Sequence, residues 1–157
     1  MSAFSFIIRV SMDKKGGGFK MRSYLQKHNN NYYTDHYSTP KDIYNHYVIN
    51  SGYHDPCPLN GKGCEFNKVI NRCMFINPPY SDINTWVDYA VFQASNTNKH
   101  IVMLIPSRTD TKYFHKLLSY GVDLEFIKGR LKFGDMKQGA PFPSVLIHLN
   151  AHHSKKS

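Results

Sequence analysis

The stretch Cys73-Met74-Phe75-Ile76-Asn77-Pro78-Pro79-Tyr80 decides how this chain is interpreted. Its first four residues predict a buried strand, and the apolar residues that recur at helical spacing from 83 to 94 predict a helix after the turn. The amide of Asn77 and the carbonyl of Pro78 offer two hydrogen-bond acceptors, which the fixed φ angles of the two prolines preorganise. Tyr80 adds an aromatic face on which a heterocycle can stack. Two acceptors beside a ring suit the exocyclic amine of a nucleobase, although the same four letters also occur as an ordinary turn after a strand.

Strands and helices alternate on both sides of this stretch. We predict a short extended piece at 53–55, strands at 72–76, 101–105, 124–127, 129–133 and 144–149, and helices that begin at Thr39-Pro40, after Tyr80 and at Asp110. The strand at 101–105 is apolar throughout, which predicts burial on both faces. Strand-helix-strand order implies parallel pairing, and the last two strands, with no helix between them, predict an antiparallel hairpin at one edge. The sequence therefore predicts an α/β domain with a mostly parallel sheet.

Length and charge limit the classes to which the chain can belong. A chain of 157 residues is most simply one domain with a real core. We divide it into a flexible or loosely attached segment at 1–31, in which residues 4–10 can pair as a strand, a domain at 32–150 and a polar tail at 151–157. Twenty Lys and Arg against 11 Asp and Glu give a formal net charge of +9, which favours DNA or RNA as a partner.

Neither a targeting segment nor a disulfide framework is predicted. The apolar residues 4–10 are too few, and too interrupted by Arg9, for a signal peptide or a membrane span, so we expect a soluble intracellular protein of the cytoplasm. Three cysteines are an odd number, which argues against a disulfide framework. A zinc site built from the cysteines and His54 is also disfavoured, because their spacing is irregular and lacks paired C-x2-C knuckles. We therefore predict no metal.

Polar side chains follow the predicted strands at positions where open α/β sheets bind ligands. Asp55, in the stretch Asp55-Pro56-Cys57, either accepts hydrogen bonds from a polar ligand or caps a turn. Arg108, next to Thr109 in the polar cluster after the strand at 101–105, either contacts a phosphate or a base or pairs with Asp110 or Glu125.

A second candidate for nucleic-acid contact lies further along the chain. Arg130 and Lys132 flank an apolar residue in a segment bounded by glycines, with Phe133 beside them. Two cations and an aromatic on one strand suit contact with DNA, and the alternative is a solvated edge strand.

Taken in order, these motifs resemble the phage- and virus-type DNA N6-adenine methyltransferases. The resemblance covers roughly residues 35–150. Its matching pieces are Thr39-Pro40, Asp55-Pro56-Cys57, Asn77-Pro78-Pro79-Tyr80 with Trp86 and Ala90 downstream, the stretch at 104–115, Gly129-Arg130-Leu131-Lys132-Phe133-Gly134 and Ala140-Pro141-Phe142-Pro143-Ser144.

The resemblance implies a compact class I (Rossmann-like) methyltransferase core that uses S-adenosylmethionine. It implies a site-specific, adenine-specific DNA methyltransferase, in which the Asn/Asp-Pro-Pro-Tyr motif, here residues 77–80, grips the target adenine and the methyl group passes in one displacement. By analogy, Thr39-Pro40 and Asp55-Pro56-Cys57 lie beside the cofactor. DNA contacts then fall on Arg108, Thr109, Arg130 and Lys132.

The chain also departs from the wider superfamily in its cofactor region. It has no F-x-G-x-G motif after the first strand, and the short separation of Asp55 from Asn77 leaves little room for a second strand and its ribose-binding acid, for which Glu65 is a candidate. Two alternatives therefore stay open. One is a nucleic-acid-binding protein on a degenerate methyltransferase fold, and the other is methylation of another planar amine, such as cytosine N4, RNA adenine or a protein amide.

Overall fold

The computed structural model of the protein describes residues 6–9, 37–59 and 68–150. In chain order the elements are β1 (Phe6–Arg9), α1 (Lys41–Tyr44), β2 (Met74–Ile76), α2 (Ile83–Asn96), β3 (Ile101–Pro106), α3 (Lys112–Tyr120), β4 (Asp123–Phe126) and β5 (Ser144–Leu149). Helix α1 continues as a π-helical segment at Asn45–Asn50, and one 3-10 turn at Tyr80–Asp82 leads into α2. The predicted α/β class is confirmed.

The described strands form one mixed five-stranded sheet in the order β1-β4-β5-β3-β2. Strands β2 and β3 are parallel, as the crossover through α2 predicts, but the other three pairings are antiparallel. The prediction of a mostly parallel sheet is therefore wrong. The prediction fails because β5 lies between β3 and β4, which run in the same direction, and is antiparallel to both.

The predicted terminal hairpin needs two corrections. Residues 129–133 form no strand, and β5 pairs with β4 on one side and β3 on the other, so it lies inside the sheet rather than at its edge. Gly129 and Gly134 have φ angles of 79° and 54°, which break an extended strand at both ends of the segment. Residues 127–143 instead fold back as a loop, in which the Ala140 N–H donates to the Leu131 carbonyl at 2.8 Å.

Both faces of the sheet are covered. Met74 and Ile76 of β2 face the core that α2 and α3 complete. Phe75, between them, faces a second core made with Tyr47 and the 127–143 loop, and the rings of Phe75 and Tyr47 stack at 5.2 Å. All six residues of β3 are buried, which confirms the prediction that this strand is covered on both faces.

Most predicted boundaries agree with the structure, and the exceptions lie at helix starts. Strand β5 has the predicted bounds, and α3 ends as predicted at Gly121, whose φ is 86°. Thr39-Pro40 does not form the first turn of α1, because the helix begins at Lys41 and no side chain caps it. Helix α3 begins after Thr111 rather than at Asp110.

Several predictions concern residues that the structure does not describe. Strand β1 pairs with β4 at the edge of the sheet. The rest of the 1–31 segment, the tail at 151–157, Cys64 and Glu65 lie outside the described residues. The division of the chain at residues 31 and 150 stays a prediction. Within the described residues, no helix is long and apolar enough to cross a membrane.

Candidate active site

Four segments that follow strands meet at one edge of the sheet. A parallel bridge between His54 and Met74 places the chain that leads into residues 55–57 beside β2, which residues 77–80 follow. Residues 107–111 follow β3, which is parallel to β2, and 127–143 follow β4, which runs in the same direction. This edge, formed by the carboxyl ends of the strands, is where open α/β sheets bind ligands.

The side chain of Asn77 is held in one orientation at this edge. Asn77 is 4% exposed. Its Nδ2 donates to the Tyr37 carbonyl at 2.8 Å and to Thr39 Oγ1 at 3.0 Å. Because a backbone carbonyl only accepts hydrogen bonds, the nitrogen must face Tyr37. Both N–H groups of the amide are used there, so the amide can meet a ligand only through its oxygen.

The two prolines place a second acceptor next to this amide. Pro78 and Pro79 are both buried, and the Pro79 carbonyl accepts a hydrogen bond from the Asp82 N–H at 3.1 Å. No described residue donates a hydrogen bond to the Pro78 carbonyl. The site therefore presents one side-chain acceptor and one backbone acceptor on consecutive residues.

Tyr80 lies in an aromatic cluster, which consists of Tyr37, Tyr80, Phe133 and Phe142. The Tyr80 ring lies 5.7 Å from Tyr37, 5.3 Å from Phe142 and 6.4 Å from Phe133, and Phe133 also lies 5.6 Å from Tyr37. The contacts of Tyr80 with Phe142 and Phe133 are edge-to-face, a geometry that contributes roughly 0.5–1.5 kcal/mol per pair beyond the area buried, and the contacts of Tyr37 are tilted. The ring of Tyr80 is thus positioned by two different segments of the chain, the stretch at 37–39 and the 127–143 loop.

The extended segment at 37–39 connects to the long loop through its backbone. The Gly134 N–H donates to the Ser38 carbonyl at 3.1 Å. A Cβ on Gly134 would lie 3.2 Å from the Cβ of Ser38, so the two segments are in close contact. At the far end of the loop, the Ser107 N–H donates to the Pro143 carbonyl at 2.9 Å. The loop is therefore fixed to both sides of the site.

Asp55 is a turn residue as well as a partly buried carboxylate. Its Oδ1 accepts a hydrogen bond from the Cys57 N–H at 2.9 Å, which is the turn geometry that the sequence offered as one alternative. Burial raises the pKa of the Asp55 carboxyl above its usual value, against the lowering effect of that hydrogen bond. Pro56 and Cys57 are buried. A carboxylate at this edge suits the hydroxyl or ammonium groups of a polar ligand.

The fold and the site agree with a comparison against protein families. The family model that matches the chain is described as DNA N-6-adenine-methyltransferase (Dam), and the match covers residues 64–156, more than half of the chain. The chain belongs to this family. Searches of curated proteins and of solved structures found no match. The resemblance inferred from the sequence motifs is thereby confirmed.

The Dam match contains only part of the predicted site. Residues 77–80 and the segments that carry Arg108 and Arg130 lie within it, whereas Thr39-Pro40 and residues 55–57 precede it. The structure brings all of these segments to the same edge, and it places the Thr39 hydroxyl against Asn77.

The side chains predicted to contact DNA lie at the surface. Arg108, Thr109, Arg130 and Lys132 are all exposed. The guanidinium carbon of Arg108 lies 6.0 Å from the centroid of the Phe142 ring, so this side chain extends over the aromatic cluster.

The alternative in which Arg108 pairs with an acid is not seen. Among the described residues Arg108 forms no ion pair, and the Oε2 of Glu125 instead lies 2.9 Å from the Nε2 of His148. The backbone of Gly139 packs closely against Arg130, since an added Cβ on Gly139 would lie 2.7 Å from the Arg130 Cβ.

Sequence reasoning missed three contributors to the site. Tyr37 supplies both a carbonyl for Asn77 and a ring for Tyr80, and Phe133 and Phe142 complete the aromatic cluster. Phe133 was predicted as the aromatic that accompanies two DNA-contacting cations but is only 2% exposed, and Phe142 was noted only as part of a motif. Aromatic residues in a loop rich in glycine and proline indicate that some of these side chains are buried, but they do not predict which residues those side chains contact.

Among the described residues, no group of three or more His, Cys, Asp or Glu is arranged to hold a metal ion. Cys57 is buried and Cys73 is partly buried.

Proposed function

We propose that this Dam-family protein transfers a methyl group from S-adenosylmethionine to the N6 amine of adenine in DNA. The observation that carries the proposal is the fixed amide of Asn77, whose nitrogen is held by Tyr37 and Thr39 and which Pro78 follows directly in the chain. Its setting at the carboxyl edge of the β2–α2–β3 unit supports a Rossmann-like methyltransferase core.

The target adenine must leave the base stack to reach this buried site. Its N6 amine then donates one hydrogen bond to Asn77 Oδ1 and one to the Pro78 carbonyl, and Tyr80 packs against the base. Two acceptors draw the amine away from the plane of the ring and toward tetrahedral geometry, which exposes its lone pair as a nucleophile. Positioning of this kind can supply roughly 7–11 kcal/mol of a barrier.

The cofactor is proposed to lie between the segments at 37–40 and 55–57. When bound, S-adenosylmethionine would supply a methyl group activated by its sulfonium: the N6 lone pair would form the new N–C bond as the C–S bond breaks, S-adenosylhomocysteine would leave, and N6 would lose one proton to solvent. Asp55 offers a carboxylate to the hydroxyl or ammonium groups of the cofactor, and the raised pKa of this carboxyl reflects the burial that such a contact would offset. Thr39, Pro40, Pro56 and Cys57 would line the same region. The donor and acceptor groups present therefore fit the cofactor.

DNA is proposed to lie across the exposed cations around the site. Arg108 and Thr109, which follow β3, and Arg130 and Lys132, in the 127–143 loop, would contact phosphates, which position the duplex without reading its sequence. The net charge of +9 favours this partner over a neutral one.

Asn77→Ala tests the proposal. Purified wild-type protein is incubated with unmethylated DNA and the cofactor, and methyl transfer is followed over time. We expect Asn77→Ala to lower the rate by at least about 100-fold, in the range seen when one preorganised polar group is lost from an active site. Asn84→Ala, a change of the same residue type at an exposed position of α2, is the matched control and should keep the wild-type rate. Normal turnover by Asn77→Ala would refute the proposed role.

One observation favours a second function. The Dam match begins after residues 39–57, so the predicted cofactor residues lie outside it. A protein of this fold that binds DNA but does not transfer a methyl group would be consistent with a match that lacks the cofactor residues. Titration calorimetry with S-adenosylmethionine separates the two functions, because saturable binding that is lost in Asp55→Ala supports an enzyme and absence of binding supports the DNA-binding alternative.

A further inference from the structure

The hydroxyl of Thr39 lies 3.0 Å from the Asn77 amide nitrogen, although 38 positions separate the two residues. We propose that Thr39 is a positioning residue, whose hydroxyl locks the Asn77 amide so that its oxygen faces the substrate amine. The inference deepens the proposed function and rests on it for the identity of that amine. It gives Thr39 a role distinct from the helix cap and from the cofactor contact predicted from the sequence.

The local sequence explains why the Thr39 hydroxyl points away from the helix. A proline disfavours helical backbone in the residue before it, so Pro40 holds Thr39 in an extended conformation. The helix begins only at Lys41, with Pro40 at its N-cap and no side-chain cap. The hydroxyl is therefore not used as a helix cap and is directed toward Asn77 instead.

The two acceptors around Asn77 have different roles. The Tyr37 carbonyl can only accept, so it decides which end of the amide turns inward. A single hydrogen bond to Tyr37 would still allow the amide to rotate about its terminal torsion, which is broad and roughly two-fold for asparagine. The second bond, to Thr39, removes this freedom, and it also satisfies a buried N–H that would otherwise be left unpaired.

The neighbours of Thr39 fix its own position. The Tyr37 ring packs against Tyr80 and Phe133, and the Ser38 carbonyl accepts the Gly134 N–H. Three consecutive residues thus each contact a different part of the site. The backbone of Thr39 is thus fixed on both sides, and its β-branched side chain has few χ1 rotamers, which limits the movement of the hydroxyl.

The same geometry specifies asparagine rather than aspartate at position 77. A carboxylate there would place an oxygen 2.8 Å from the Tyr37 carbonyl oxygen, with no hydrogen to share. Asn77→Asp should therefore lower kcat by at least about tenfold. Activity at the wild-type level in Asn77→Asp would contradict the assigned amide orientation.

The main test compares Thr39→Val, which keeps the shape of the side chain but removes the acceptor, with Thr39→Ser, which keeps the hydroxyl. We expect Thr39→Val to lower kcat by about 10- to 100-fold, in line with the loss caused by a small misplacement of a catalytic group. KM for DNA and for S-adenosylmethionine should change by less than about threefold. Thr39→Ser should restore kcat to within about threefold of wild type, which a general loss of packing would not produce.

Hydrogen exchange of the Asn77 side-chain amide provides a readout that does not need activity. In protein labelled with 15N-asparagine, the Asn77 NH2 signals are assigned by their loss in Asn77→Ala. We expect slow exchange with solvent in wild type and Thr39→Ser, and exchange at least about tenfold faster in Thr39→Val, because one of the two N–H groups has lost its acceptor.

The outcomes separate the two proposals. Unchanged exchange and unchanged kcat in Thr39→Val would overturn the positioning role. A rise of more than tenfold in KM for S-adenosylmethionine at unchanged kcat would also overturn it, and would make Thr39 a cofactor contact. If wild-type protein forms no N6-methyladenine, the proposed function fails, and faster exchange in Thr39→Val that Thr39→Ser reverses would still support the lock on Asn77.

Discussion

The contact between Gly134 and Ser38 should hold the site together, and alanine substitution measures its contribution. At Gly134 an alanine meets two penalties. Its φ of 54° lies in the left-handed region, which costs an L-residue roughly 1–2 kcal/mol. Its Cβ would also lie 3.2 Å from the Ser38 Cβ, a distance that forces the neighbour to move. Overpacking of this kind typically adds about 1 kcal/mol or more.

Gly129 supplies a matched control on the same loop. Its φ is 79°, so an alanine there has a similar backbone penalty, but the added Cβ would meet no atom within 4 Å. We therefore expect Gly129→Ala to destabilise the protein by about 1–2 kcal/mol and Gly134→Ala by at least about 1 kcal/mol more. For a chain of this size, that difference corresponds to a Tm lower by about 2–4 °C.

Urea denaturation of the two variants tests this expectation. The free energy of unfolding should differ at equal m values, because the two substitutions expose similar surface on unfolding. Gly134→Ala should also lower kcat more than Gly129→Ala, because Ser38 lies between Tyr37 and Thr39, which hold Asn77. Equal free energies of unfolding for the two variants would refute the reasoning, since the Ser38 contact would then contribute nothing.

Three further perturbations are expected to have distinct effects. Burial, and after it the charge of His148, lower the pKa of His100 to about 4. As the pH falls below 6.5, His100 is therefore protonated in the unfolded chain before it is protonated in the folded protein. The free energy of unfolding should decrease as the pH drops from 6.5 toward 4. We expect a loss of about 1–2 kcal/mol after allowing for the partial exposure of the ring, and His100→Gln should remove this part of a pH series of urea midpoints. Asp55→Asn keeps an acceptor for the Cys57 N–H but removes a carboxylate whose pKa is raised by burial, so the Tm should rise. The same change should lower the affinity for S-adenosylmethionine by at least about tenfold, and tighter binding in calorimetry would contradict this expectation. Arg108→Ala should weaken DNA binding and reduce the slope of log K against log salt by about 1, and an unchanged slope would argue against a phosphate contact.

The parts of the fold that follow from the sequence are those that depend on local pattern. The apolar run of β3 reflects burial on both faces of the strand, and the helical spacing of apolar residues in α2 reflects burial on one face of the helix. Both patterns can be seen in a short stretch of sequence. The order of strands is not local. The sequence of residues 144–149 does not predict that β5 lies between β3 and β4. That position goes with the packing of the 127–143 loop against Phe75 and Leu104, which are distant in the chain.

The site shows the same limit. Residues 77–80 stand out because their chemistry is contained in four consecutive positions. The partners that orient Asn77, Tyr37 and Thr39, lie far away in the chain, and a threonine before a proline at a helix start has a local interpretation as a cap. The tertiary hydrogen bond to Asn77 overrides that local preference. A similar conflict explains residues 129–133, where the alternating pattern predicts a strand but the flanking glycines turn the chain and Phe133 is buried in the core.

The central claim is methyl transfer to N6 of adenine in DNA by the Asn77 site. The most direct measurement uses S-adenosylmethionine with a deuterated methyl group, unmethylated DNA and purified protein, followed by digestion to nucleosides and mass spectrometry. The account predicts N6-methyldeoxyadenosine that carries the deuterium label with wild type and with Asn84→Ala, and none above background with Asn77→Ala. Label on cytosine, or on no nucleoside, would contradict it.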